Sequence, residues 1–239
     1  MKLDIERVRG AIFDVDGTLL DSMNTWFTVG VRYLETLGIY EDESLGLTLF
    51  SMTMTEAAEY MIDKFSLLGN KPFQEKIVSK VGSDRDTIEI AEFFGKEMAR
   101  GMKDFYVNDV MPRKGAIQLL EYFDRKNIPM SVATSTHIDL LKPALDRLGM
   151  TKYFKAIISA SALNISKGTP EPFNLCLNSM NLKADKGVWV FEDGLYAIKT
   201  AKKMGLSTVA LYDEISKDDW EEAVKIADIN IKELDELIR

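Results

Sequence analysis

In the stretch from Val8 to Ser22 a short apolar run ends abruptly in two acids, Asp14 and Asp16, a glycine, Gly17, and a threonine, Thr18. A short apolar run bounded by turn residues reads as a buried strand whose C-terminal end opens into a loop. From residue 24 to about 106 the spacing becomes helical. Trp26, Phe27, Val29, Gly30, Tyr33, Leu34 and Leu37 recur on one helix face, with Ser22 or Asn24 as the N-cap and Gly38 past the end. The stretch from Met52 to Ile62 reads as a capped helix start and its helix, and Pro72 suits the first position of another. Asp86 to Phe105 adds a long amphipathic segment. A helical block of roughly 80 residues is therefore expected directly after the acidic loop.

Strands and helices then alternate. The spacing predicts helices over Lys114–Lys126, Asp139–Leu148, Phe173–Met180, Leu195–Met204 and Asp218–Ala227, and a final helix after Asn230. With Asp139 as N-cap, Pro143 would fall in the first turn, where no amide bond is lost. Strands are expected at Ile128–Ala133, Ala156–Ser159, Gly187–Phe191 and Ser207–Leu211. Strands separated by helices of this length make a parallel sheet covered on both faces.

Two carboxylates one residue apart at a strand end repel each other unless a cation or a shared proton relieves them. A calcium loop of the EF-hand type is ruled out, because counting from Asp14 puts Leu19 sixth and Thr25 twelfth, where glycine and glutamate are required. A plain surface turn would also use aspartate and glycine. A nucleophilic aspartate beside an acid/base aspartate over a metal explains better why acids interrupt an apolar strand. Other strand ends carry Thr134 and Ser135, then Glu192 and Asp193, and the loop from Asn164 to Pro172 offers Lys167. Parallel strands bring all these ends to one edge of the sheet, where ligands bind in open α/β folds. Carboxylates gathered there suit Mg²⁺, while hydroxyls and a lysine suit phosphate oxygens.

Composition narrows the partners. The 239 residues, 46% hydrophobic, can bury a full core, and no apolar stretch approaches the roughly 20 residues of a membrane span. Met1 to Arg7 lacks the apolar region of a signal peptide, so a soluble, cytoplasmic protein is expected, with no membrane partner. A net charge of -8 argues against nucleic acid. Cys176 is the only cysteine, which excludes an internal disulfide; between Leu175 and Leu177 it reads as a small buried apolar residue. His137 is the only histidine, so no histidine triad or histidine metal site can be built, and it is expected at a helix entrance. Met52, Met54, Met61 and Trp26 read as packing within the helical block, with Met52, Met54 and Trp26 also able to face a substrate. The acid-rich tail from Asp213 to Glu236 reads as solvated helix faces.

These motifs together resemble the haloacid dehalogenase-like superfamily, in its β-phosphoglucomutase-like phosphatase group with a helical cap. The resemblance rests on Asp14-Val15-Asp16-Gly17-Thr18, Val132-Ala133-Thr134-Ser135, Ser166-Lys167-Gly168-Thr169-Pro170-Glu171-Pro172 and Val190-Phe191-Glu192-Asp193-Gly194, in that order. It implies an α/β fold: a Rossmann-like parallel sheet with helices on both faces over residues 1–21 and 107–239, and a helical cap over 22–106. It implies a Mg²⁺-dependent phosphatase acting on a small phosphorylated metabolite through an aspartyl-phosphate. Asp14 would be the nucleophile and Asp16 the acid and base. Thr134, Ser135 and Lys167 would hold phosphate, and Asp14, the backbone carbonyl of Asp16, Glu192 and Asp193 would surround the metal. A monomer or weak dimer is expected. The sequence departs from the group at Gly194, Ala197 and Gly168. It also lacks the polar handles of the sugar-phosphate mutases, with Trp26, Met54 and His137 in their places, so hydrolysis is preferred over a β-phosphoglucomutase-type mutase. A phospho-acceptor module without turnover is the other alternative, and retention of Asp16 speaks against it.

Overall fold

Six strands form one wholly parallel sheet: β1 (Gly10–Phe13), β2 (Met130–Thr134), β3 (Phe154–Ser159), β4 (Val188–Glu192), β5 (Ser207–Leu211) and β6 (Ile229–Ile231). Their order is β3-β2-β1-β4-β5-β6, so β1 lies in the middle of the sheet, and the direction of strand addition reverses beside it. This is the doubly wound, Rossmann-like arrangement, and its switch point lies at the carboxyl ends of the central strands. The computed structural model describes residues 3–42, 44–50, 52–82 and 84–238.

Alternation along the central strands assigns each face its helices. Ile12 and Val190, neighbours in register, pack in one cluster with Phe173, Cys176 and Leu177 of helix Glu171–Ser179 and with Ala197 and Ala201 of helix Leu195–Lys203. The next pair, Phe13 and Phe191, stacks with ring centroids 4.4 Å apart and meets Phe123 of helix Ala116–Arg125. With every residue of β1 buried, its apolar run is that of a strand covered on both sides. Gly10 lets the chain pack closely here: a β-carbon would fall 2.4 Å from Leu182 Cδ1.

The chain divides into two compact units, one made of the residues up to Met23 together with those from Tyr106 onward, the other Asn24–Phe105. The second unit is helical, with helices beginning at Met23–Glu35 and continuing through Ser44–Phe50, Met54–Lys64, a helical run over 71–81 and Thr87–Asp104. Leu34, Met61, Phe73, Ile77 and Phe94 are fully buried within it. Thr53 and Glu56 close a capping box at the start of Met54–Lys64. Pro72 stands second rather than first in its helix, behind Lys71, with Asn70 as the cap.

Two local expectations are corrected. The final helix expected after Asn230 is only a short 3₁₀ helix, Leu234–Leu237, and it is preceded by an edge strand the spacing did not predict, β6 (Ile229–Ile231). Ile229 and Ile231 are buried on either side of exposed Asn230, which is the two-residue period of a strand. Helix Ile138–Arg147 is capped by His137, not Asp139, so Pro143 lies inside it. The amide bond that Pro143 forgoes would have gone to the carbonyl of Asp139, an exposed residue whose carbonyl water can satisfy.

Candidate active site

β1 hands the chain to the loop at Asp14, whose amide still donates to Phe191 O at 3.0 Å, so Asp14 is held in register with the end of β4. The loop then tightens, with the amides of Thr18, Leu19 and Leu20 all turned on Val15 O. Gly17 makes this possible with φ of +81°, and its bare α-carbon lets Asp193 come close. Thr18, fully buried, donates to Asp193 Oδ1 at 3.3 Å.

Lys167 joins the strand ends. Only 3% exposed, it donates to Asp14 Oδ1 and to Glu192 Oε1, each at 2.5 Å. Glu192 is committed on both sides, because its Oε2 accepts from the amide of Gly194 at 2.9 Å. Carboxylate oxygens of Asp14, Glu192 and Asp193 lie within 4.8 Å of one another, a set that could hold a metal ion. Burial pushes Asp14 up to about 7; Lys167 works against this, while the charges of Glu192 and Asp16 add to it. Asp193 is raised well above the usual carboxylate range, first by burial and then by Asp14 and Glu192. Burial opposes the charge on Lys167, but Asp14 and Glu192 outweigh it and hold the ammonium well above the ordinary lysine value. The donor set is all carboxylate oxygen, and acids held this far up are relieved by a hard divalent cation in their midst. The residues present therefore fit Mg²⁺.

Asp16 is separate from that cluster. Its Oδ1 accepts from the hydroxyls of Ser22, at 2.6 Å, and Tyr106, while its Oδ2 is buried without a hydrogen-bond partner among the described residues. At the end of β2, Thr134 is fully buried and its hydroxyl accepts from the amide of Thr136 at 3.1 Å. Ser135 is exposed, and its hydroxyl meets that of Tyr196 at 3.1 Å.

Several of these partners carry no motif signal. Ser22 reads from sequence as a helix cap, yet its hydroxyl is spent on Asp16. Tyr106 and Tyr196 are ordinary aromatic positions on helical stretches. Arg113 donates to Gly17 O at 2.7 Å, to Asp213 Oδ2 at 3.0 Å and to the carbonyls of Tyr212 and Lys232, tying the acidic loop to the ends of β5 and β6. Only three-dimensional adjacency reveals such a clamp. Cys176 is fully buried, its thiol donates to Val132 O, and burial pushes it up to about 12. It has the environment of a packing residue. His137 caps its helix by accepting from the amide of Asp139 at 3.3 Å.

A family model for haloacid dehalogenase-like hydrolases matches residues 11–211, and the chain belongs to that family. It is an enzyme of the phosphatase kind, a phosphoric monoester hydrolase of that superfamily, and its fold is that of the β-phosphoglucomutase-like group. Among its relatives is the validoxylamine A 7'-phosphate phosphatase of Streptomyces hygroscopicus subsp. limoneus, 27% identical over 227 residues, which cover 95% of this chain and 94% of the relative. Another is the fructose-1-phosphate phosphatase of Escherichia coli K12, 27% identical over 207 residues, covering 85% of this chain and 96% of the relative. The crystal structure of a β-phosphoglucomutase from Clostridium difficile superposes with a TM-score of 0.65 at 19% identity, covering 96% of this chain and 93% of that one.

Proposed function

We propose that this chain is a Mg²⁺-dependent phosphatase that hydrolyses a small phosphorylated metabolite, of the sugar-phosphate kind, through an aspartyl-phosphate on Asp14. The observation that carries the reading is the buried ammonium of Lys167 between Asp14 and Glu192, with Asp193 close by. Asp14 attacks phosphorus, and Lys167 holds the nucleophile in place and balances charge as the phosphoryl group arrives. Glu192, with both oxygens engaged, orients Lys167. Asp14, Asp193 and the backbone carbonyl of Asp16 would hold Mg²⁺, with Glu192 beside them. When bound, the ion offsets the repulsion between an anionic nucleophile and a phosphate dianion.

Thr134, the amide of Ser135 and Lys167 grip the phosphoryl oxygens, and Asp16 protonates the leaving oxygen and later takes a proton from water. Tyr196, about half exposed and joined to Ser135 through its hydroxyl, stands at the rim where the remainder of the substrate would lie. The helical unit Asn24–Phe105 acts as a cap that shields the reaction from bulk water, and the enzyme works in the cytoplasm without a nucleic-acid or membrane partner. Among the described residues no helix is long and apolar enough to cross a membrane. Two relatives named for a 7'-phosphate and for fructose 1-phosphate support the substrate class.

The test is phosphate release from a panel of sugar, polyol and nucleotide phosphates with and without Mg²⁺, with Asp14→Asn as control. Turnover that needs both Mg²⁺ and Asp14 is expected. A lasting adduct after acetyl phosphate without continuous release would overturn it. So would conversion of β-glucose 1-phosphate to glucose 6-phosphate faster than phosphate is freed.

A further inference from the structure

The two hydroxyls that converge on Asp16 belong to none of the motifs. Tyr106 is fully buried and donates to Oδ1 of Asp16; Ser22, also buried, donates to the same oxygen at 2.6 Å. Oδ2 is buried and has no hydrogen-bond partner among the described residues. A buried carboxylate oxygen without a partner is costly, and such a group persists where function gives it one. The segment that carries Tyr106 is itself fastened, since Arg147 donates to Val110 O at 2.5 Å and to Tyr106 O at 3.5 Å.

We propose that Tyr106, assisted by Ser22, is a positioning residue for the acid/base step: the two fix Oδ1 of Asp16 so that Oδ2 exchanges the proton. The proposal rests on Asp16 being the acid and base, as argued above, and adds the groups that aim it. In the first step an Asp14 oxygen bonds to phosphorus. The bond from phosphorus to the ester oxygen breaks with its electron pair, and the proton on Asp16 Oδ2 moves to that oxygen. In the second step a water oxygen bonds to phosphorus and gives a proton to Oδ2. The bond from phosphorus to Asp14 then breaks, returning its electron pair to the Asp14 carboxylate. Negative charge grows on Asp16 as its proton leaves, and hydrogen bonds to Oδ1 strengthen with that charge. Tyr106 and Ser22 therefore favour the first transition state over the ground state.

Leaving-group chemistry tests this. Departure of p-nitrophenolate needs no proton, whereas departure of an alkoxide does, and kcat/KM reports the steps up to leaving-group loss. Tyr106→Phe is expected to lower kcat/KM for glycerol 3-phosphate by about 10- to 100-fold while leaving p-nitrophenyl phosphate within about threefold. Equal losses on both esters would mean a merely structural role and overturn the proposal. So would a variant that works faster on the alkyl ester. Ser22→Ala should split the two esters in the same direction, and it decides the matter if Tyr106→Phe does not fold. Asp16→Asn separates the two levels of argument. If it lowers both esters equally, the acid/base reading itself falls. If it splits them while Tyr106→Phe and Ser22→Ala do not, only the positioning role falls. A wild-type enzyme that turns over neither ester overturns both.

Discussion

A β-carbon on Gly17 would fall 2.4 Å from Oδ2 of Asp193, so the acidic loop and the end of β4 approach as closely as a bare backbone permits. Gly17 also holds φ at +81°, a left-handed conformation that costs an alanine about 1–2 kcal/mol. Gly17→Ala is therefore expected to lower the melting temperature by roughly 2–8 °C. Because the new methyl displaces Asp193, it should also cut phosphate release by on the order of 100-fold. Thermal unfolding and a phosphate assay on the same preparation check both, and an alanine variant with full activity would show that the close approach is dispensable.

Asp14 gives a pH dependence with a defined sign. Burial pushes its carboxyl up to about 7, while an unfolded aspartate titrates near 4. Between those values the folded chain binds more protons than the unfolded one, so stability without divalent cation falls as pH rises through the window. With Asp14 as a ligand, as proposed, Mg²⁺ would have to displace that proton below about 7, weakening its apparent affinity by up to ~10-fold per pH unit. The rise in melting temperature on adding Mg²⁺ should thus be large at pH 8 and small at pH 6, and absent at both in Asp193→Asn. A wild-type response equal at the two pH values would exclude Asp14 as a ligand.

Among the described residues, Lys167 is the one cation set against the three buried or nearly buried acids of this cluster. Lys167→Met leaves Asp14 and Glu192 without their shared partner, and breaking a buried pair in this way costs about 3–5 kcal/mol. The loss should be greatest at pH 8 and smaller at pH 5, where the stranded carboxyls can take up protons. Urea unfolding at the two pH values measures it, and a pH-independent loss would point to packing of the lysine stem instead.

Cys176 should be chemically silent. Its thiol is fully buried and pushed up to about 12, so almost no thiolate exists at neutral pH. Iodoacetamide is expected to leave the native enzyme active and unlabelled, and to label Cys176 only after denaturation. Rapid inactivation accompanied by labelling would return Cys176 to the list of functional groups.

The parts of the site legible in the sequence are those where chemistry interrupts a local pattern. Asp14, Thr134 and Glu192 announce themselves because each ends an apolar run, and parallel strands end at one edge. Lys167 was visible only through the motif around it, since a lysine in a turn-rich loop has no local mark of burial. Tyr106 and Arg113 carry no such mark, and Ser22 reads only as a helix cap. The partners of Tyr106 and Arg113 lie about 90 to 100 residues away, and the hydroxyl of Ser22, six residues from Asp16, looks the same whether it caps a helix or meets that carboxylate. The fold shows the same division. Central strands stand out as continuous apolar runs, whereas the three residues of β6 are too short for their period to compete with the acid-rich helical pattern around them. Pro143 shows the same limit: keeping proline out of the helix interior favours Asp139 as the cap, whereas His137 caps the helix and an exposed carbonyl tolerates the missing bond.

The sheet order has a consequence for how the protein is born. β1 pairs with β2 on one side and with β4 on the other, and both partners follow it by more than a hundred residues. Its Asp14 must wait until Glu192 has been synthesised before Lys167 can bridge the two. A chain cut short before Glu192 would therefore carry every residue of the first motif and still lack the partners that hold Asp14 in this arrangement.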